Sequence, residues 1–277
     1  MRIACNETAF RRSPTMGGLL VYDVGVNDGA DSAYYLARGY KVVGIEANPV
    51  LAASLRARFT DAIASGAYVL LDVGVGDTYG EAEFWISDNS EWSSFSRNLA
   101  SRDGAGCRPV IVQTRPFDSI LEQFGRAHFC KIDIEGYDRL CLESMSRDLS
   151  PEYISIEMSH KDAIEDFKLL RQLGFSKFKI ISQVTRSQAS PLLMYFAYWL
   201  PWRVAVLLRA ANRKLRGVDR LDGWCFEQNS SGSFAEDTPG AWKSYDSAVR
   251  RWQFLKKMEQ RFETKGLHDW FDIHAAQ

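Results

Sequence analysis

No pair of the five cysteines, Cys5, Cys107, Cys130, Cys141 and Cys225, stands at Cys-x-x-Cys spacing. The thiols are therefore read as reduced and the protein as cytoplasmic, a placement that fits an N-terminus without the charged-then-apolar layout of a secretory signal. Excess charge is missing too: the formal net charge is −1, which gives no global pull toward nucleic acid. No Asn-Pro-Pro-Tyr-type motif occurs, and the basic residues form a single short stripe, so nucleic acid is excluded as a partner. A spanning helix is absent as well. The apolar run Leu192 to Leu200 is interrupted by Pro201 and Arg203 before it reaches the roughly 20 residues that crossing a bilayer requires.

What the chain does contain is alternation of strand and helix. At 277 residues it is long enough for one sizeable domain, with or without an appended subdomain. Strands are expected at Leu19 to Val24, Tyr40 to Glu46, Tyr68 to Val75, Glu81 to Ile86, Val110 to Gln113, His128 to Ile134, Tyr153 to Glu157 and Phe175 to Ile181. Helices are expected from Asp31, after Asn48-Pro49, over Phe117 to Phe124, over Tyr137 to Met145, and after the capping box Ser159-x-x-Asp162. Such alternation predicts an α/β fold with a parallel, doubly wound sheet and helices on both faces. The rhythm breaks over 183 to 240 and returns to helix from Ala241 to Phe262, with Trp252, Phe254 and Leu255 docking on the sheet. The expected division is a core over 1 to 182, an insertion over 183 to 240, and a docking segment over 241 to 277.

The stretch Val21-Tyr-Asp-Val-Gly-Val-Asn-Asp-Gly29 marks a nucleotide-binding corner. Asp23, Gly25 and Gly29 form Asp-x-Gly-x-x-x-Gly, with Gly25 allowing a tight turn and Gly29 allowing a ligand near the first turn of the next helix. Glu46 ends the second strand, where a carboxylate offers two acceptors to a ribose diol. Asp72, late in the third strand, is the expected neighbour of an adenine ring, with a turn-forming role as the alternative. In Lys131-Ile-Asp-Ile-Glu-Gly-Tyr-Asp138, period-two alternation puts Asp133 and Glu135 on one side, unless the chain has already turned at Glu135. Buried carboxylates need partners. A substrate hydroxyl, an ammonium or a magnesium-like cation holding a diol are the alternatives, beside a structural network with Lys131 or Arg139.

Three motifs, Asp-Val-Gly-Val-Asn-Asp-Gly, Gly-Ile-Glu-Ala-Asn-Pro and Lys-Ile-Asp-Ile-Glu-Gly-Tyr-Asp, together resemble the FkbM family of S-adenosylmethionine-dependent methyltransferases over roughly residues 19 to 182. The Ser-rich run Asn89 to Phe95, with Ser93 and Ser94 as candidate acceptor contacts, is similar to a loop of that family. The resemblance implies a Rossmann-type methyltransferase core with S-adenosyl-L-methionine as cofactor. Asp23, Gly25 and Asn27 would hold the methionine end, Glu46 the ribose, and Asp133 the rim of the transfer site. It implies O-methylation of a hydroxyl on a sugar, glycolipid or polyketide-like acceptor. Asp133, Glu135 and His160 are the candidate bases, and no metal ligand set is assigned. A nicotinamide-dependent oxidoreductase shares the Asp23 corner and Glu46 but leaves the Lys131 to Asp138 run unexplained. A non-catalytic, membrane-docking cofactor-binding protein is the third reading.

Beyond the core, Val204, Leu208, Ala211 and Leu215 fall on one helical face and Arg209, Arg213 and Arg216 on another. Residues 192 to 216 are thus a membrane-surface contact, a lid whose Arg209 binds an acidic group of the substrate, or ordinary packing. Trp224 and Trp242 flank a Ser-Gly loop and are candidates for stacking on a sugar face.

Overall fold

The computed structural model describes residues 18–158, 163–190, 195–196, 199–227, 229–263 and 269–277. The capping box at Ser159 and the candidate base His160 lie outside these residues. The chain divides into two compact units, with the boundary between Glu152 and Tyr153.

The first unit is built on four parallel strands: β1 (Leu20–Val24), β2 (Lys41–Ile45), β3 (Tyr68–Leu71) and β7 (Phe129–Ile132), in the order β7-β1-β2-β3. Every residue of β7 is buried, and only the first residue of β1 is not. That is the signature of strands covered on both faces. Helices α1 (Ala30–Ala37), α2 (Pro49–Arg58) and α3 (Thr60–Ala64) provide the crossovers between β1, β2 and β3. The Asn48-Pro49 start of α2 behaves as expected: the Asn48 side chain accepts from the Val50 amide at 3.0 Å, and Pro49 takes the first turn. This is the Rossmann-type α/β arrangement that the alternation predicts.

A second, smaller sheet departs from the expectation of one parallel sheet. β4 (Gly74–Val75) and β5 (Gly80–Ser87) both pair with β6 (Cys107–Arg115), β4 in parallel and β5 antiparallel along its whole length. The expected third strand over Tyr68 to Val75 is therefore two, which part at Asp72-Val73 and enter different sheets. The short α4 (Arg97–Ala100) follows β5, while α5 (Phe117–Phe124) follows β6 and α6 (Asp138–Ser144) follows β7.

In the second unit, β8 (Tyr153–Glu157), α7 (Ala163–Gln172) and β9 (Lys177–Ser182) continue the alternation. The C-terminal strand Phe271–Ala276, absent from the sequence expectations, runs antiparallel between β8 and β9 and pairs with both. All six of its residues are buried. The helix Tyr245–Glu263 buries Ala248, Trp252, Leu255 and Met258 on one stripe, and the Trp252 ring meets Phe271 at 5.8 Å. Phe254, expected in that contact, faces outward.

The segment 183 to 240 carries an internal anchor. The buried Arg186 guanidinium pairs with Asp219 at 3.1 Å and donates to the carbonyl oxygens of Phe226 and Glu227. Trp242 donates to Glu236 at 2.9 Å and lies under the Lys179 ammonium at 4.1 Å, so its ring face is occupied within the protein. Cys107, Cys130 and Cys141 are free thiols, and Cys5 lies outside the described residues. No described helix is long and apolar enough to cross a membrane.

Candidate functional site

The carboxyl ends of β1, β2 and β7 lie side by side, and their loops bring together Asp23, Asn27, Glu46, Lys131 and Asp133. In a parallel α/β sheet this is the end where ligands bind. Asp23 is fully buried at the top of β1, directly across from Lys131. Its Oδ2 accepts from the Ser32 hydroxyl at 2.6 Å. Its Oδ1 is buried with no hydrogen-bond partner, an arrangement that costs about 1–3 kcal/mol unless a ligand completes it.

The turn after β1 is forced by its surroundings. Gly25 sits at φ 85°, and a Cβ there would stand 1.9 Å from the Asp133 carbonyl oxygen, so the β7 loop closes over a backbone position that tolerates no side chain. Gly29, also at φ 85°, is crowded by Leu55 and Phe59. Its smallness serves helix packing rather than the ligand approach expected of it. Gly25→Ala is expected to destabilise the protein by roughly 3 kcal/mol, combining left-handed strain with overpacking. Urea unfolding checks this, and a variant as stable as the parent would refute it.

Asn27 adopts the left-handed conformation at φ 53°, a region that asparagine tolerates better than most residues. Its amide donates to Glu46 Oε2 at 2.9 Å, and its own Oδ1 is buried without a hydrogen-bond partner. The Asn48 amide donates to Glu46 Oε1 at 2.8 Å. Two backbone amides therefore fix both Glu46 oxygens and leave each with acceptor capacity. Burial, opposed by these hydrogen bonds, pushes the Glu46 carboxyl up to about 7.

Lys131 is the charge centre of the site. Its buried ammonium lies 3.3 Å from Asp31, 3.4 Å from Asp133 and 3.9 Å from Asp23. Burial works against its charge, but the three carboxylates outweigh that effect and hold it well above the ordinary lysine range. Burial likewise pushes Asp23 up, against the pull of Lys131.

β7 ends at Ile132 rather than Ile134, and Glu135 stands at φ 48°, so the chain has already turned there and alternation does not govern Glu135. Asp138 shapes this loop by accepting from the amides of Ile134 at 2.9 Å and Gly136 at 3.1 Å. The two candidate carboxylates part as a result. Asp133 keeps a side chain 42% exposed. Glu135 is clamped by Arg102, with both guanidinium Nη atoms at 2.8 Å from its two oxygens, which removes it from the expected cation ligation with Asp133. Burial, with repulsion from Asp133 behind it, pushes Glu135 up to about 7.

Of the remaining candidates, Asp72 follows the last residue of β3 at the same end of the sheet. It is exposed and pairs with Arg56 at 2.5 Å. The Ser93 hydroxyl accepts from the Ser87 amide, and the buried Ser94 hydroxyl donates to the Glu135 carbonyl at 2.9 Å, so both hold the Ser-rich loop in place. Trp224 lies half-buried on the short strand Trp224–Cys225, and Arg209 stands within the helix Trp202–Arg216. Arg102 escaped the sequence reading because it lies in an irregular turn 33 residues from its partner. Lys131 was visible only as a structural partner. Its spacing of two from Asp133 signals a shared side.

A family model described as the methyltransferase FkbM domain matches residues 23–177. No curated protein sequence matches the chain. Among solved structures, a methyltransferase FkbM from Methylobacillus flagellatus is similar at 19% identity and a TM-score of 0.41, over 63% of this chain and 43% of that one. The chain thus spans less than half the length of that protein. A precorrin-6y C5,15-methyltransferase from Geobacter metallireducens is similar at 12% identity and a TM-score of 0.34, over 61% of this chain and 71% of that one. A phosphoethanolamine N-methyltransferase from Haemonchus contortus, solved with S-adenosylhomocysteine, is similar at 12% identity and a TM-score of 0.38, over 98% of this chain and 52% of that one. The family match displaces the nicotinamide alternative and brings S-adenosylmethionine as cofactor. The residues fit that group: two buried oxygens without a hydrogen-bond partner, Asp23 Oδ1 and Asn27 Oδ1, would accept from a cationic amino-acid end, and the pinned Glu46 would accept from a diol.

Proposed function

We propose, from the premise that this chain belongs to the FkbM family of methyltransferases, that it O-methylates a hydroxyl on a sugar, glycolipid or polyketide-like acceptor. The observation that carries this reading is the parting of two neighbouring carboxylates: Asp133 open at the sheet's carboxyl end, Glu135 closed by Arg102. S-adenosylmethionine, when bound, supplies a methyl group on a sulfonium centre.

The chain's part is alignment and proton removal. Asp23 and Asn27 accept hydrogen bonds at the amino-acid end, and Glu46 accepts from the ribose hydroxyls. Asp133 accepts a hydrogen bond from the acceptor hydroxyl and takes its proton as the oxygen attacks. Lys131, in contact with Asp23 and Asp133 alike, keeps the two carboxylates in one register. The Arg102–Glu135 pair, with Arg102 over the Trp92 ring at 4.8 Å, holds the wall beside Asp133.

Calorimetric titration with S-adenosylhomocysteine tests the cofactor assignment. Because the Glu46 carboxyl is pushed up to about 7 and only its ionised form accepts from both hydroxyls, affinity is expected to rise about tenfold from pH 6 to pH 8. Glu46→Gln is expected to flatten that rise and weaken binding. A pH-independent affinity in the parent, or an unchanged slope in the variant, would sink the role given to Glu46. Screening sugar and lipid acceptors for methyl incorporation then tests the acceptor class.

A further inference from the structure

Amphipathic helices of water-soluble domains turn their apolar stripe inward. The helix Trp202–Arg216 does the reverse. Val204, Leu207, Leu208 and Leu215, at the spacing of one helical face, are all exposed, Leu207 to 68% and Leu215 to 87%. Only Ala205 among its described side chains is buried. Trp199, just before it, and Trp202, its first residue, are 69% and 54% exposed, placing amphipathic rings at the start of the helix. The charge of the segment is of one sign. Arg203, Arg209, Arg213, Lys214 and Arg216 stand within the helix, and no acidic residue occurs between Asp166 and Asp219.

We infer that this helix docks on an anionic bilayer surface, lying in the headgroup plane with its outward leucines in the acyl boundary. A basic helix with an exposed apolar stripe and tryptophan at its margin has the chemistry of an interfacial anchor, and each basic residue near an anionic leaflet adds to the attraction. A second copy of the chain is disfavoured as occupant, because symmetric pairing would bring five cations against five. The docking is independent of the methyl-transfer reading, and it places the protein where lipid-borne hydroxyls are presented.

Vesicle flotation of the full chain provides the test, with phosphatidylcholine alone and phosphatidylcholine mixed with phosphatidylglycerol. The parent is expected to bind the mixed vesicles, with blue-shifted tryptophan emission and loss of binding as salt is raised. Leu207→Glu/Leu208→Glu and, separately, Arg213→Glu/Lys214→Glu are each expected to weaken binding tenfold or more, by about a factor of five for each basic residue lost. Urea-unfolding midpoints equal to the parent's show that the variants fold. Should the leucine variant misfold, the charge variant carries the test alone. Failure of the parent to bind mixed vesicles would overturn the inference, as would equal binding by a folded variant. A dimer of the parent in light scattering that the leucine variant lacks, without vesicle binding, would overturn it in favour of self-association.

Discussion

Replacing Asp133 by Asn is expected to lower kcat by about a hundredfold to ten-thousandfold, the range lost when a positioned general base is removed, while S-adenosylhomocysteine affinity stays at the parent value. The expectation rests on the exposure of Asp133 at the carboxyl end of the sheet, where Asp23 and Glu46 are buried. Asn keeps the shape and one acceptor but takes up no proton, so the loss falls on turnover rather than on binding. Glu135→Gln serves as the contrast. It breaks the Arg102 clamp and is expected to raise the acceptor KM more than it lowers kcat, because the wall beside Asp133 loosens while the base remains. Steady-state kinetics on an acceptor found by screening would decide. If D133N kept near-parent turnover, proton removal would have to belong to another group or to solvent.

Replacing Lys131 by Met is expected to cost about 3–5 kcal/mol at pH 8, the penalty for removing one partner of a buried charge cluster. The ammonium serves Asp31, Asp133 and Asp23 together, and without it buried negative charge is left uncompensated. The sign with pH follows directly. In the parent, burial already raises Asp23 to about 6 against the pull of Lys131; without that pull it rises further above its unfolded value of about 3.9, so ionising it in the fold is what destabilises. The penalty is therefore greatest at high pH and fades as pH falls through the raised value and the carboxyl protonates. Urea unfolding of parent and variant at pH 5 and pH 8 checks both size and direction. A loss under about 1 kcal/mol, or one that does not shrink at pH 5, would show that the cluster tolerates the charge by other means.

Much of the first unit was legible because local signals agreed with tertiary ones. Asn48-Pro49 opens α2 and the helix Phe117–Phe124 matches its pattern at both ends, as β8 in the second unit matches Tyr153–Glu157. The motif around Asp23 and the Lys131 run pointed to one end of one sheet, and those residues do converge there. Legibility failed where the deciding contact is remote or the local preference misleads. Nothing near Glu135 announces Arg102. Alternation left two places open for Glu135, and the turned one holds because Asp138 accepts from the Ile134 and Gly136 amides and folds the loop back on itself. The strand Phe271–Ala276 contains Asp272, His274 and two alanines, Ala275 and Ala276, of weak strand propensity. Its conformation comes from the ladders on either side, which supply partners that its own residues do not advertise. His274 shows the cost: both ring nitrogens are buried without a hydrogen-bond partner, and burial pushes its pKa down to about 3.

That inserted strand also sets an order of events. β8 and β9 do not pair with each other; each pairs with Phe271–Ala276, which is made some ninety residues after β9. Until it arrives, two strand edges stand with unpaired amides and carbonyls, the template on which chains add to one another. Closing the gap requires a contact distant in sequence, a slow step for a folding chain. During synthesis, then, those edges stay open for as long as the ribosome takes to travel from Ser182 to Ala276, and any product released short of Phe271 keeps them.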